Sequence, residues 1–280
     1  MKIDLEKVLG FEYAKSTYTY GQDDVILYHL GIGAGVPATD PGELEYTYEK
    51  KLKVLPSFAT IPGLSAVPFE DLPIEFNPRA VHGDHEIELH QPIPSEATVT
   101  QLARITEVWD KQKAAVVVTR IETRDEAGQL LFTNTMSEFR PGEGGFGGER
   151  GPAIGNAAPQ RDPDGVIEVP TLPQQTALYR LSGDKAEYHI DPEVAAQSGF
   201  EAPFMHGLCS YGIVCKAIID RVLEGDVTRL ARYRVRFSGN AFPGETYRIA
   251  YWRDGARILI EARSVERDAP IISNAALTIS

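Results

Sequence analysis

Two cysteines in 280 residues rule out a disulfide framework. Cys209 and Cys215 lie six apart in a segment that reads as helix, where about 1.5 Å of rise per residue sets them about 9 Å apart, beyond disulfide reach. They read as buried thiols in a reducing compartment. Also missing is any apolar run near the roughly 20 residues that cross a bilayer, and the start, "MKIDLEKVLG", lacks the apolar block of a secretory signal. A cytoplasmic protein with no membrane partner is expected. Positive charge is scarce, with 28 Lys and Arg against 40 Asp and Glu and a formal net charge of −12. That argues against nucleic acid as a partner, although a local basic patch can still hold a few phosphates. The six histidines show no metal-ligand spacing: His85 and His90, five apart in a strand, point to opposite faces, so no metal is expected.

What is present is a globular composition, 42% hydrophobic and 24% charged, sufficient for one large domain or two ordinary ones. Between Pro141 and Gly165 it shifts to "PGEGGFGGERGPAIGNAAPQRDPDG", which reads as a linker. No Gly-Lys-Ser/Thr follows its glycines, so a phosphate loop is disfavoured. The two sides of the linker repeat each other. "YHLGIGAG" from Tyr28 parallels "YRLSGDKA" from Tyr179, "HQPIPSEATV" from His90 parallels "GNAFPGETYR" from Gly239, and the only tryptophans, Trp109 and Trp252, open similar hairpins. The offsets of 151, 149 and 143 residues drift as insertions and deletions in a duplicated unit would make them. Residues 1–140 and 166–280 are therefore read as two copies of one fold.

In the second copy, Leu208, Tyr211, Cys215, Ile218, Ile219 and Val222 recur at three- and four-residue steps, the mark of a long buried helix closed by Gly225. In "RLARYRVRFSG", Ala231, Tyr233, Val235 and Phe237 alternate with Arg232, Arg234 and Arg236, which marks a half-buried strand. "TYRIAYW", "RILIEARSV" and "IISNAALTI" continue the strand pattern, with Asp254-Gly255 as a tight turn. The fold class is α+β: an antiparallel sheet around a helix, made twice.

The candidate chemistry lies in "YRLSGDKAEYHIDP". A helix from Thr171 to Leu181, with a Thr cap, Pro173, and Ala177, Leu178 and Leu181 inward, breaks at Gly183 and leaves Asp184 just beyond its end. Asp191 caps a short helix starting at Pro192, so His189 sits in a connection anchored at both ends. Asp and His are common in turns, and taken alone the pair fits a solvated loop. The segment "APFMHGLCSYG" changes that reading. His206-Gly207 opens the buried helix, whose first N–H groups are unpaired and able to hold an oxyanion. The first copy has Gly33 and Ala38 where the second has Asp184 and His189.

"YRLSGDKAEYHIDP" followed by "GFEAPFMHGLCSYG" resembles the R-specific enoyl-CoA hydratases, also called hydratase 2 or MaoC-like hydratases, with their G-D-x-N-P-L-H and H-G-L motifs. The likeness covers nearly the whole chain and is greatest to the two-repeat form. It implies a double hot-dog fold, each unit a long helix wrapped by a sheet, with catalysis in the C-terminal unit and the N-terminal unit shaping the acyl pocket. It further implies that Asp184 and His189 form the catalytic pair, that the Gly207 N–H polarises the thioester carbonyl, and that His82, Gly83, Lys111 and Phe237 contact acyl-CoA. Tyr188 and His206, beside these motifs, are further substrate-binding candidates. Lys111 fits equally well as a polar residue of the "DKQK" turn. Where the family has Asn-Pro-Leu, this chain has Ala186-Glu187-Tyr188, so the amide that helps hold the catalytic water is missing.

Hydration of a 2-enoyl thioester needs a base, an acid and an oxyanion donor, which two titratable groups and one N–H supply with no cofactor beyond the coenzyme A of the substrate. A homodimeric hydratase giving the (3R)-3-hydroxyacyl product is the leading expectation. A non-catalytic acyl-CoA binding subunit and a hot-dog thioesterase are the alternatives.

Overall fold

The computed structural model describes residues 3–153 and 155–280; Ile154, inside the expected linker, and the first two residues of "MKIDLEKVLG" lie outside the described residues. Among the described residues ten strands form one antiparallel sheet. In chain order they are β1 (Ser16–Tyr20), β2 (Val81–Leu89), β3 (Ala97–Asp110), β4 (Ala114–Arg124), β5 (Leu130–Pro141), β6 (Gly165–Pro170), β7 (Leu230–Phe237), β8 (Thr246–Asp254), β9 (Arg257–Ser264) and β10 (Pro270–Ile279). They lie side by side as β1-β3-β4-β5-β2-β7-β10-β9-β8-β6. The first five strands in sequence occupy one side and the last five the other, in matching order. They meet where β2 pairs with β7, from Asp84 opposite Arg236 to Glu88 opposite Arg232. The repeat read from the sequence is thus a repeat of topology, and the architecture is the expected double hot-dog.

Both halves place helical segments against the sheet. Helix α1 (Gln22–Gly31) in the first corresponds to α3 (Gln175–Tyr179) in the second, and the two pack together. Tyr28 and Tyr179, aligned in the repeat, meet with ring centroids 6.1 Å apart. A further correspondence is the Asp-Pro helix start. The Asp40 carboxylate accepts from the N–H groups of Gly42 and Glu43, and that of Asp191 accepts from Glu193 and Val194, opening α4 (Pro192–Gln197).

The central helices are unequal. In the C-terminal unit α5 (Gly207–Val222) is buried on almost every side, including all six apolar positions read from the sequence. Gly212 is what lets the N-terminal unit dock on it. A Cβ there would lie 2.6 Å from the Tyr28 hydroxyl and 2.7 Å from Ile32. In the N-terminal unit the equivalent core segment is a 3-10 turn, Pro56–Ala59, running into α2 (Thr60–Ser65), only six residues long. Pro56, Pro62 and Gly63 account for the short run, since proline brings no N–H and glycine is a weak helix former. The long helix implied by the resemblance is therefore present only in the C-terminal unit. Lys216 of α5 ties the units together by bonding Glu43 at 2.6 Å and Asp220 at 2.7 Å.

Candidate active site

The loop carrying Asp184 and His189 is shaped by local rules. Helix α3 tightens into a 3-10 turn, Arg180–Ser182, and ends at Gly183, whose φ of +137° favours glycine. A second 3-10 turn, Glu187–His189, leads to the Asp191 cap. Two details differ from the sequence reading. Thr171 caps no helix: its hydroxyl donates to the Glu245 carbonyl and accepts the Gly244 N–H. Ala177 and Leu181 are exposed, and Gln175, Thr176 and Tyr179 face inward. The reason is tertiary: α1 offers a close backbone approach at Gly31, where Tyr179 packs and whose carbonyl takes the Gln175 amide at 2.6 Å.

The fold brings Asp184 and His189 together and adds His206. One ligand atom from each of the three lies within 4.8 Å of the others. His189 is buried and its Nδ1 lies 2.8 Å from the Phe204 carbonyl. A carbonyl only accepts, so Nδ1 carries the hydrogen and Nε2 keeps a free lone pair. Asp184 Oδ1 accepts the Ala186 N–H at 3.1 Å. Burial lowers the basicity of His189, and the Asp184 charge partly restores it. His206, expected to touch substrate, has no exposed surface. Its ring lies 3.9 Å from that of His189, and burial, with His189 beside it, lowers its pKa to about 3. Neither His206 nitrogen makes a full hydrogen bond among the described residues, although the Asp184 backbone lies close enough to raise its basicity.

Histidine spacing in the sequence hid this convergence, because the three groups come from a loop and a helix start. The set has the atom types of a metal site. The two imidazole rings of the set lie 3.9 Å apart with their planes 34° from parallel. Tyr188 closes the loop side of the cluster. Its ring stacks on Phe204 at 5.6 Å and lies 4.4 Å from His189, and burial raises its phenol to about 12.

Gly207 begins α5 with no side-chain cap, so its N–H is left for a ligand at the positive end of the helix. A Cβ here would lie 3.4 Å from the Phe237 ring. Phe237 also lines a cavity of about 780 Å³ together with His82, Gly83 and Lys111, so four of the expected substrate contacts share one wall system. Asp184, His189 and Tyr188 are not among its lining residues, and Phe237 is the link between cavity and cluster. Lys111 stands in the β3–β4 turn and also lines the cavity, which reconciles its two readings.

Sequence reasoning missed Arg150, Arg234 and Arg236, which join Lys111 around the cavity. The alternating arginines of β7 were a visible signal. Arg150 was not, because it comes from the Gly-rich linker. That segment is strapped to the sheet by Asp110, which accepts N–H groups of Gly145 and Gly147. A basic cavity on a chain of net charge −12 is a local exception that suits an anionic ligand.

A hot-dog pair carrying one acid–imidazole cluster beside a free helix start defines the class of protein. Residues 18–142 match the MFE-2 hydratase 2 N-terminal domain, and residues 155–275 match the MaoC like domain. The chain is 40% identical to the enoyl-CoA hydratase ChsH3 of Mycobacterium tuberculosis, covering 97% of each chain. It is 36% identical to the peroxisomal enoyl-CoA hydratase 2 of Arabidopsis thaliana, covering 95% of this chain and 92% of that one. Among solved structures, the MaoC-like dehydratase of Phytophthora capsici superposes with a TM-score of 0.88 at 31% identity, covering 99% of this chain and 98% of that one. The chain belongs to the MaoC-like hydratase 2 family in its two-repeat form.

Proposed function

We propose that the protein is a hydro-lyase that adds water to a trans-2-enoyl-CoA to give the (3R)-3-hydroxyacyl-CoA, or removes it in reverse, in lipid metabolism. The observation that carries this reading is the Asp184–His189 pair set beside the free Gly207 N–H. Its relatives named as enoyl-CoA hydratases support it further. Asp184 and the His189 Nε2 lone pair hold one water as acceptors. Its oxygen adds to the β carbon and its proton passes to the pair. As the α carbon is protonated the pair gives that proton back, so both groups end as they began. The charge that builds on the thioester oxygen is met by the Gly207 N–H and the dipole of α5. The scheme calls on no cofactor beyond the coenzyme A of the substrate.

In this reading the N-terminal unit, residues 1–140, lacks the pair and contributes His82, Gly83 and Lys111 to the cavity, while Arg150 from the linker adds a cation. Residues 166–280 carry the chemistry. Among the described residues no helix is long and apolar enough to cross a membrane. A cytoplasmic homodimer is proposed as the working state, and β1 and β6 end the sheet with unpaired edges available for assembly. Light scattering of the purified protein tests the dimer. The function is tested by mixing the protein with a trans-2-enoyl-CoA and following the ultraviolet absorbance of the conjugated thioester together with free thiol. Loss of conjugation without thiol release is expected. Thiol release would make it a thioesterase, and no change in either signal a binding subunit.

A further inference from the structure

A chain of three side chains runs from the core of the N-terminal unit to the cavity, and the chemistry of hydration uses none of its inner members. The Asn134 amide nitrogen donates to the Ala59 carbonyl at 3.0 Å, which leaves Oδ1 turned to His85 Nε2 at 2.9 Å. His85 Nδ1 in turn lies 3.1 Å from His82 Nε2. Gly63 clears space for the amide, since a Cβ there would lie 2.6 Å from Asn134 Nδ2. His85 is 1% exposed and packs edge-on against Tyr211 at 5.2 Å.

His82 and His85 are three apart, and in a regular strand they would point to opposite faces. The register of β2 on β5 slips between His82, opposite Glu138, and Asp84, opposite Ser137, so Gly83 is the extra residue of a bulge. The bulge reverses the alternation and puts both imidazoles on one side. Gly83 suits that position because a Cβ would lie 3.0 Å from the Ser137 hydroxyl oxygen.

The Ala59 carbonyl can only accept, and from it the direction of every bond follows. Asn134 Oδ1 must accept from His85 Nε2–H, so a neutral His85 has a bare Nδ1, which must accept from His82 Nε2–H. His82 is thereby held with a bare Nδ1 in a ring that lines the cavity, with the Asp84 backbone beside the ring raising its basicity against the larger effect of burial. Burial supports the neutral state of both rings, lowering His85 to about 4 and His82 well below its ordinary value.

We propose that Asn134 and His85 are positioning residues that lock His82 as its Nε2–H tautomer, so that its Nδ1 offers the cavity an acceptor for an amide N–H of a pantetheine arm. The inference rests on the acyl-CoA reading of the cavity for the ligand, but the tautomer lock stands on geometry alone. It assigns the contact a sense: a thioester whose arm carries amide donors is recognised, and one with only acceptors there is not.

The test is a long-range proton–nitrogen correlation spectrum of the full-length protein labelled at histidine nitrogen. In the free wild-type protein both His82 and His85 should show the neutral Nε2–H pattern between pH 6 and 8. Free coenzyme A should then move the His82 Nδ1 resonance and leave Nε2 in place. Asn134→Leu should mix the tautomers of both rings and raise KM for an enoyl-CoA about fivefold, the scale of one misdirected hydrogen bond, with kcat within about twofold. Asn134→Asp, whose carboxylate faces the Ala59 carbonyl and favours a protonated His85, should instead turn His85 Nδ1–H toward His82 and leave His82 in its Nδ1–H form. An Nδ1–H or protonated His82 in the free wild-type protein would overturn the lock whether or not either variant folds. Calorimetric binding of coenzyme A without movement of His82 Nδ1 would overturn the acceptor role. If coenzyme A did not bind at all, the acyl-CoA reading would fail, and the free-protein spectrum would still decide the lock.

Discussion

His189 and His206 lie ring against ring, with 3.9 Å between their centroids. The contact gives His189 a neutral neighbour on one face, while Phe204 meets the ring edge to face at 4.7 Å and its carbonyl holds Nδ1. A ring held in this way has one free group, Nε2, and it is the group the chemistry needs. Burial keeps it a base instead of a cation, against the Asp184 charge and the Phe204 carbonyl, which both favour the added proton.

Removal of either member of the pair should show this directly. Asp184→Asn or His189→Gln is expected to lower turnover on a trans-2-enoyl-CoA by at least about a hundredfold, the usual scale for a positioned acid or base. Circular dichroism should show the fold intact. Near wild-type turnover in either variant would refute the dyad.

The departure at Ala186-Glu187-Tyr188 makes a second prediction. Ala186 offers no hydrogen-bonding side chain to the water, so Ala186→Asn should raise the hydration rate of straight-chain enoyl-CoA, a bond of this kind being worth about 1 kcal/mol. Tyr188 acts through its ring, which stacks on Phe204. Tyr188→Phe should therefore stay within about threefold of wild type, whereas Tyr188→Ala should lose about tenfold or more by unpacking His189. A silent Ala186→Asn combined with an inactive Tyr188→Phe would instead make the phenol the water's partner.

The seam between the halves makes a third. Residues 166–280 alone would expose the edge of β7 and the face of α5 that takes Tyr28 and Ile32. Such a fragment should aggregate or remain unfolded when expressed. Recovery of a soluble, folded and active fragment would contradict it.

The buried histidines make a fourth, through pH. His29 is neutral in the fold, its Nδ1 bound to the Tyr46 carbonyl and its Nε2 accepting the Leu55 N–H. Burial lowers His29 and His85 to about 4 and His206 to about 3. An unfolded chain protonates these rings near pH 6.5, so below that it binds more protons than the fold, and stability falls as pH drops toward 4. Each ring contributes a slope of up to about 1.4 kcal/mol per pH unit in that window. Urea midpoints should fall in the order pH 7, 6 and 5. A flat or rising series would show that the rings are protonated in the fold.

Local patterns in the sequence determined much of this protein. The alternation along β7, the three- and four-residue steps of α5 and the Asp191-Pro192 cap are each written in neighbouring residues, because burial on one face and helix capping act over a few positions. The duplicated segments were legible for the same reason, and so was the Asp184–His189 pair, which one short loop carries. Tertiary structure alone decided what depends on separate segments meeting. It turned the inward face of α3 toward Gly31, drew the linker's Arg150 and the β7 arginines to one cavity, and buried His206 behind His189. It also placed a bulge at Gly83 that sets His82 and His85 on one side. Strand alternation predicts the opposite, since the extra residue is defined only by the partner strand against which it is counted.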